Sequence, residues 1–258
     1  MKYLEYLAVE LKDFQDFKQA REKIMLRLVP YSSELDVEGI VYRKFLNMAV
    51  TYYYMLSSET EMIPLKSSHV DRWKIKESDI YKVALENTPK KLPAVFESTK
   101  DCLVEILLES IKKENITTKA GFMNLIMDLF NFTLNDNDSD LIWENGNCNV
   151  EKLKEIIIEK EVGKKEMYVL SNRLRMHGAA CLLYPNCLKE IAGHIGSDLY
   201  IIPASIHELI LLPVDKDTKL EELKSDVIRA NEDIVEPENR LTDDIYIYDM
   251  KTDTIKIV

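Results

Sequence analysis

The chain has 258 residues, 46% hydrophobic and 31% charged, a globular composition long enough to bury a sizeable core and unlike that of a disordered chain. Its 34 basic and 45 acidic residues give a formal charge of −11, which sets net repulsion against nucleic acid and predicts a solvated acidic surface. No run approaches the ~20 consecutive apolar residues of a membrane span, so no membrane partner is expected.

Residues 1–17 (MKYLEYLAVELKDFQDF) alternate charged and apolar residues and lack a signal-peptide core. Leu4, Leu7, Leu11 and Phe14 recur at three and four residues and predict a first helix, with the same spacing continuing through Ile24 and Leu28 until Pro30. Phe45, Met48, Ala49, Tyr52, Tyr53 and Leu56 predict a further helix, on which Tyr52, Tyr53 and Tyr54 cannot all point inward. Residues 62–65 read as a short strand, 67–73 as a helix capped by Ser67 or Ser68, and 77–87 as a helix ended by Asn87-Thr88-Pro89. Only 7 Gly and 8 Pro occur, which favours helices over a tightly turned β-sandwich.

In the middle, 101–114 carries Leu103, Ile106, Leu107 and Ile111 on one face, and Thr118 can cap a helix with the stripe Phe122, Leu125, Ile126, Leu129 and Phe132. The loop 135–140 (NDNDSD) resembles a calcium loop but fails its pattern. Counted from Asp136, Leu141 replaces the sixth-position Gly and Asn147 the twelfth-position Glu. A helix from 150 to 161 and a charged linker, 161–166, close the region.

From 167 the period changes. Residues 167–171 (MYVLS) and 179–184 (AACLLY) read as paired strands, 185–195 as a helix stopped by Gly196, and 199–202 with 207–212 as a second strand pair. A helix over 219–230 leads to a third pair, 245–248 and 254–258. The expected class is α+β: a helical N-terminal half, then a mainly antiparallel sheet built as strand pair, helix, strand pair, helix, strand pair. Three regions are expected: a mostly helical 1–97, a helical insertion or linker lobe over 98–166, and an α+β domain over 167–258.

YVLSN (168–172), HGAACLLYP (177–185) and GSDLYIIPASIHELILLP (196–213) resemble the signature of a bacterial family of domains of unknown function. That family carries a YVLTN-like strand, a GAA-containing strand ending in Tyr-Pro, and a Pro-Ser-Ser-Ile-His-Glu segment. Residues 24–50 and 84–96 resemble it as well, so the likeness runs from about Phe14. Ala204 departs from the pattern by removing one hydroxyl, the stretch from 96 to 167 is longer than expected, and the N-terminus is shorter. The resemblance implies a domain shared among bacteria and their mobile elements, with neither a reaction nor a cofactor attached.

The sharpest polar pair is His207-Glu208, with Ser205 close by. In an extended strand the two side chains point to opposite apolar faces, so one of them needs a buried partner. Ser205, His207 and Glu208 are therefore the candidate catalytic residues of a hydrolase, with Asn172 or His177 polarising the substrate. Against this, Leu211 replaces the second His of H-E-x-x-H, and Ser205 lacks a G-x-S-x-G elbow. The alternative reading makes His207 a structural residue satisfying the turn at 203–205. Asn172, Arg173, Arg175, His177 and Gly178 form a basic loop that could receive an acidic partner or a carboxylate ligand, or serve as an ordinary hairpin tip. A metal site would require His177, His194 and His207 to converge, so no metal is assigned.

No phosphate loop occurs, and no cofactor is expected. Cys102, Cys148, Cys181 and Cys187 lack CxxC spacing and suit reduced thiols in a cytoplasm. The expected role is non-enzymatic recognition of a protein or small ligand in a regulatory, defence or mobile-element setting. A hydrolase is the first alternative and an oligomer-forming interaction protein, assembling as a homo-oligomer, the second.

Overall fold

The computed structural model describes residues 11–130, 135–144, 147–160 and 166–258. Leu4 and Leu7 of the first predicted stripe, Phe132 and linker residues 161–165 lie outside the described residues. The class is α+β, with a six-stranded sheet in the C-terminal part. The chain forms two compact units, one made of residues 1–96 and 170–258 and the other of 97–169.

A short helix α1 (Phe17–Ala20), capped by the Asp16 carboxylate, leads into strand β1 (Ile24–Pro30). After α2 (Glu34–Val37) come β2 (Tyr42–Phe45), β3 (Met48–Met55) and β4 (Met62–Pro64). Helices outweigh strands in the first half of the chain, but its core is a four-stranded sheet with β3 at the centre. β1 pairs β3 antiparallel on one side, while β2 and β4 pair it antiparallel on the other. The helical spacing expected through Ile24 and Leu28, and the helix expected over 45–56, are therefore strands. Every residue of β3 is buried, including Tyr52, Tyr53 and Tyr54, because successive side chains enter opposite faces and both faces are covered.

Helix α3 (Ser67–Trp73) is followed by α4 (Glu77–Lys91), which packs on β1. At this edge Thr88 Oγ1 accepts from the Leu26 N–H at 3.0 Å and donates to Ala84 O at 2.6 Å. α4 runs four residues beyond the expected end at 87. Pro89 lies in its final turn, where few backbone bonds remain to be lost.

β5 (Ala94–Ser98) leads into the second unit, which holds α5 (Thr99–Lys113), α6 (Lys119–Phe130), α7 (Asp136–Ile142), the short strands β6 (Trp143–Glu144) and β7 (Asn147–Cys148), and α8 (Val150–Lys160). Its core gathers Val104, Leu107, Phe122, Ile126, Trp143 and Leu153. The polar stretch expected as a loop over 135–140 is mostly helix, because Asn135 accepts from the Asp138 N–H at 2.8 Å and caps α7.

The chain returns through β8 (Tyr168–Asn172), the neighbour of β5 in the sheet. Arg173 N–H donates to Pro93 O, and Thr99 N–H to Met167 O, so these two strands run antiparallel. The expected partner of β8, residues 179–184, is instead a 3-10 helix, Gly178–Leu183, lying against β1. Small residues Gly178, Ala179 and Ala180 are fully enclosed there, and the turn closes through Ala180 N–H to His177 O.

α9 (Cys187–Ile195) ends at Gly196 with φ +79°, followed by β9 (Leu199–Pro203) and β10 (Leu209–Pro213). α10 (Leu220–Asp233) precedes β11 (Tyr246–Asp249) and β12 (Thr254–Ile257). The sheet order is β12-β11-β9-β10-β8-β5, with β9 antiparallel to β10 and β11, and β11 antiparallel to β12. α10 buries Val227 against Tyr200, Ile202, Leu212 and Ile245. No helix among the described residues is long and apolar enough to cross a membrane.

Candidate functional site

His207 and Glu208 do not belong to a strand. They lie in the bend between β9 and β10, so the strict alternation expected for them gives way to turn geometry. Ser205 shapes this turn: its Oγ accepts from the His207 N–H at 2.9 Å, and its own N–H donates to Glu208 O at 3.2 Å.

A second turn, 172–178, faces the first. Asn172 is buried and organises it, accepting from the Leu174 N–H at 3.0 Å and donating to Met176 O at 2.8 Å. Arg175 and His177 take left-handed backbone conformations, φ +49° and +55°. Ser171 Oγ donates to His207 O at 2.7 Å and Ala179 N–H to Ile206 O, which pulls the two turns together. Gly178 sits at the crossing. A Cβ there would lie 2.1 Å from Ser171 Oγ and 2.4 Å from His207 O, so glycine is required for close approach.

The two histidines stack, ring centroids 5.6 Å apart and planes 25° apart. The His177 N–H donates to His207 Nδ1 at 3.1 Å, so that nitrogen carries no proton. His207 Nε2 therefore carries it and donates to Asn239 Oδ1 at 3.1 Å. Asn239 closes the knot from a 3-10 turn, Pro237–Asn239, by also accepting the Ile206 N–H on its backbone carbonyl.

His177 is in a different situation. Its Nε2 lies 3.4 Å from Arg27 Nη1, and its Nδ1 is buried without a partner. Burial, with the Arg27 charge and His207 adding to it, pushes its pKa down to about 3, so the ring is neutral at ordinary pH. Burial also lifts the Tyr53 hydroxyl to about 12.

The structure thus brings together Ser205, His207, Asn172, His177 and Gly178. Glu208 contributes its backbone carbonyl to the turn. Arg173 is tied down by Lys91 O at 2.8 Å and by the Glu59 carboxylate, rather than presented as a free basic tip. His194 stands exposed near the end of α9, so the three histidines do not converge. Among the described residues no group of three or more His, Cys, Asp or Glu is placed to hold a metal.

Sequence reasoning missed Asn239, Arg27 and Tyr53. Arg27 had a visible signal, as the one charged residue within the apolar run 24–30. It also missed a cleft of about 340 Å³ bordered by Asp36, Tyr42, Ser67, Asp71 and Glu77, where Glu77 is held by Arg43 at 2.9 Å and by the Tyr52 hydroxyl.

The model of a family of unknown function, DUF5688, matches residues 3–250, and the chain belongs to that family. No curated protein and no solved structure matches the chain.

Proposed function

We propose that this member of the DUF5688 family is a recognition protein, binding a protein or a small ligand rather than turning over a substrate. The observation that carries this reading is the hydrogen bonding of His207. One ring nitrogen accepts from the His177 backbone and the other donates to Asn239, so neither is left to take a proton from Ser205. Ser205 Oγ, in turn, is engaged as the acceptor for the His207 N–H. A hydrolase built on Ser205, His207 and Glu208 would have to unmake the turn that positions all three. The four free cysteines suit a reducing cytoplasm; the family resemblance implies a domain shared with mobile elements, and a regulatory or defence setting belongs to the same proposal.

The test is a Ser205→Ala variant of the full chain, assayed with a panel of activated esters and amides beside the wild type. The recognition reading expects no turnover above buffer for either protein. It also expects any ligand found by native copurification to bind both equally. Hydrolysis by the wild type that disappears in a folded Ser205→Ala variant would replace this reading with the hydrolase.

A further inference from the structure

Arg27 is a partly buried cation with no carboxylate beside it among the described residues. It stands opposite Thr51 in the β1–β3 ladder, and Met25 stands opposite Tyr53, so all four side chains share one face of that sheet. The Arg27 guanidinium donates from Nε to Thr51 Oγ1 at 3.3 Å, and its Nη1 lies 3.6 Å from Met62 Sδ and 3.4 Å from His177 Nε2. All three partners are neutral. Taking a charge out of water without an opposite charge is unfavourable, and a guanidinium does not escape by losing its proton.

Two more donors lie on the same face without acceptors. Arg27 can only donate, so His177 Nε2 accepts from it and the imidazole proton resides on Nδ1. That Nδ1 is buried and unpartnered, in a residue only 8% exposed. The Tyr53 hydroxyl is likewise unpartnered, in a residue 0% exposed whose ring lies 6.0 Å from the His177 ring. One positive charge and two buried donors thus lie in one neighbourhood, the Tyr53 and His177 rings 6.0 Å apart and Arg27 Nη1 3.4 Å from the His177 ring, with no matching acceptor among the described residues.

We propose that Arg27, Tyr53 and His177 form a binding site for one small anion: a free inorganic ion, or the carboxylate or phosphoryl group of a larger ligand. Such a group supplies the negative charge that Arg27 lacks, and lone pairs for Tyr53 Oη and His177 Nδ1. This gives the recognition reading a ligand class but does not depend on it, since a hydrolase could hold the same anion and the Ser205 assay is blind to it.

The experiment is thermal unfolding of the full chain in increasing sodium phosphate, sodium acetate or sodium bromide, with ionic strength held constant by a bulky sulfonate salt. An anion that binds the folded state raises the Tm progressively with its concentration. The arm that responds separates phosphoryl, carboxylate and halide chemistry. Tyr53→Phe removes only an unpartnered oxygen, so it is expected to fold and to match or exceed the wild-type Tm without anion. With anion the wild type should overtake it, and the shift in Tyr53→Phe and in Arg27→Met should fall by more than half. If Arg27→Met does not fold, Tyr53→Phe decides alone. No concentration-dependent shift in any arm, or an undiminished shift in the folded variants, overturns the proposal.

Discussion

The backbone N–H of His177 donates to Nδ1 of His207 at 3.1 Å, and that bond fixes the chemistry of both residues. It sets the His207 tautomer, which directs Nε2–H to Asn239, and it holds the His177 ring in parallel stacking against its partner. A histidine that sequence alone would nominate as a base is thereby used as a joint between two turns.

Truncating this joint has a measurable consequence. His207→Ala leaves the His177 N–H and the Asn239 side-chain oxygen Oδ1 without their partner, and each loss at these half-buried positions costs about 1–2 kcal/mol. The expected loss of stability is about 2–4 kcal/mol by urea denaturation. A loss under about 1 kcal/mol would mean that the bonds around His207 are replaceable by solvent.

His177 predicts a pH dependence with a defined sign. Its folded pKa, about 3, lies below its unfolded value of about 6.5, so between those limits the unfolded chain holds a proton that the folded ring does not. Its contribution is therefore complete above pH 6.5 and is lost as pH falls toward 3, by up to about 1.4 kcal/mol per pH unit. His177→Asn keeps a side chain that tolerates the left-handed backbone and removes the titration. The difference between wild-type and variant stability should shrink on acidification from pH 6.5 to 4; parallel curves would remove His177 as the source.

Gly178 tests how tightly the two turns are packed. Its added Cβ would meet Ser171 Oγ at 2.1 Å, His207 O at 2.4 Å and Asn172 N at 2.8 Å, and two of these are backbone atoms that cannot rotate away. Gly178→Ala is expected to cost about 3 kcal/mol or more, at the upper end of overpacking effects. Adding Ser171→Gly should recover little of it, because the clash with His207 O remains. Full recovery in the double variant would place the whole conflict at the serine hydroxyl.

What could be read from sequence depended on whether a segment had one buried face or two. β11 alternates and was legible; so were β9 and β10, apolar runs set between turn residues. β3 was not: MAVTYYYM is apolar at nearly every position, because Tyr52 enters the face toward Glu77 and Tyr53 the face toward His177. A run without alternation carries no period to separate strand from helix. Residues 179–184 read as a strand for a related reason, since the burial of the Gly178–Leu183 turn comes from contact with β1 and its own residues show no alternation. At the candidate site, Ser205, His207 and the 172–178 loop were visible as motifs. Their roles were set by Asn239, 32 residues from His207, and by Arg27, 150 residues from His177. Local pattern does not encode partners at that separation.

The division of the chain makes the last prediction. The second unit begins in the last residues of β5 and ends in the first residues of β8, which are antiparallel neighbours, and its core residues Val104–Ile156 all fall between those strands. The Thr99 N–H on Met167 O makes Thr99 and Met167 a hydrogen-bonded pair, in the register that Arg173 on Pro93 continues. Replacing 100–166 by Asn-Gly would therefore join the strands through a two-residue hairpin turn of the kind their twist favours. The shortened chain is expected to unfold cooperatively within about 4 °C of the corresponding transition in the full chain, a shift worth about 1 kcal/mol in a domain of this size. Trp73, packed edge-on against Phe14, becomes the one tryptophan left and reports directly on the first unit. Trp73 emission matching the folded full chain is the expected result. Emission of an unfolded chain, where the full-length protein is folded, would show that the first unit requires the inserted one.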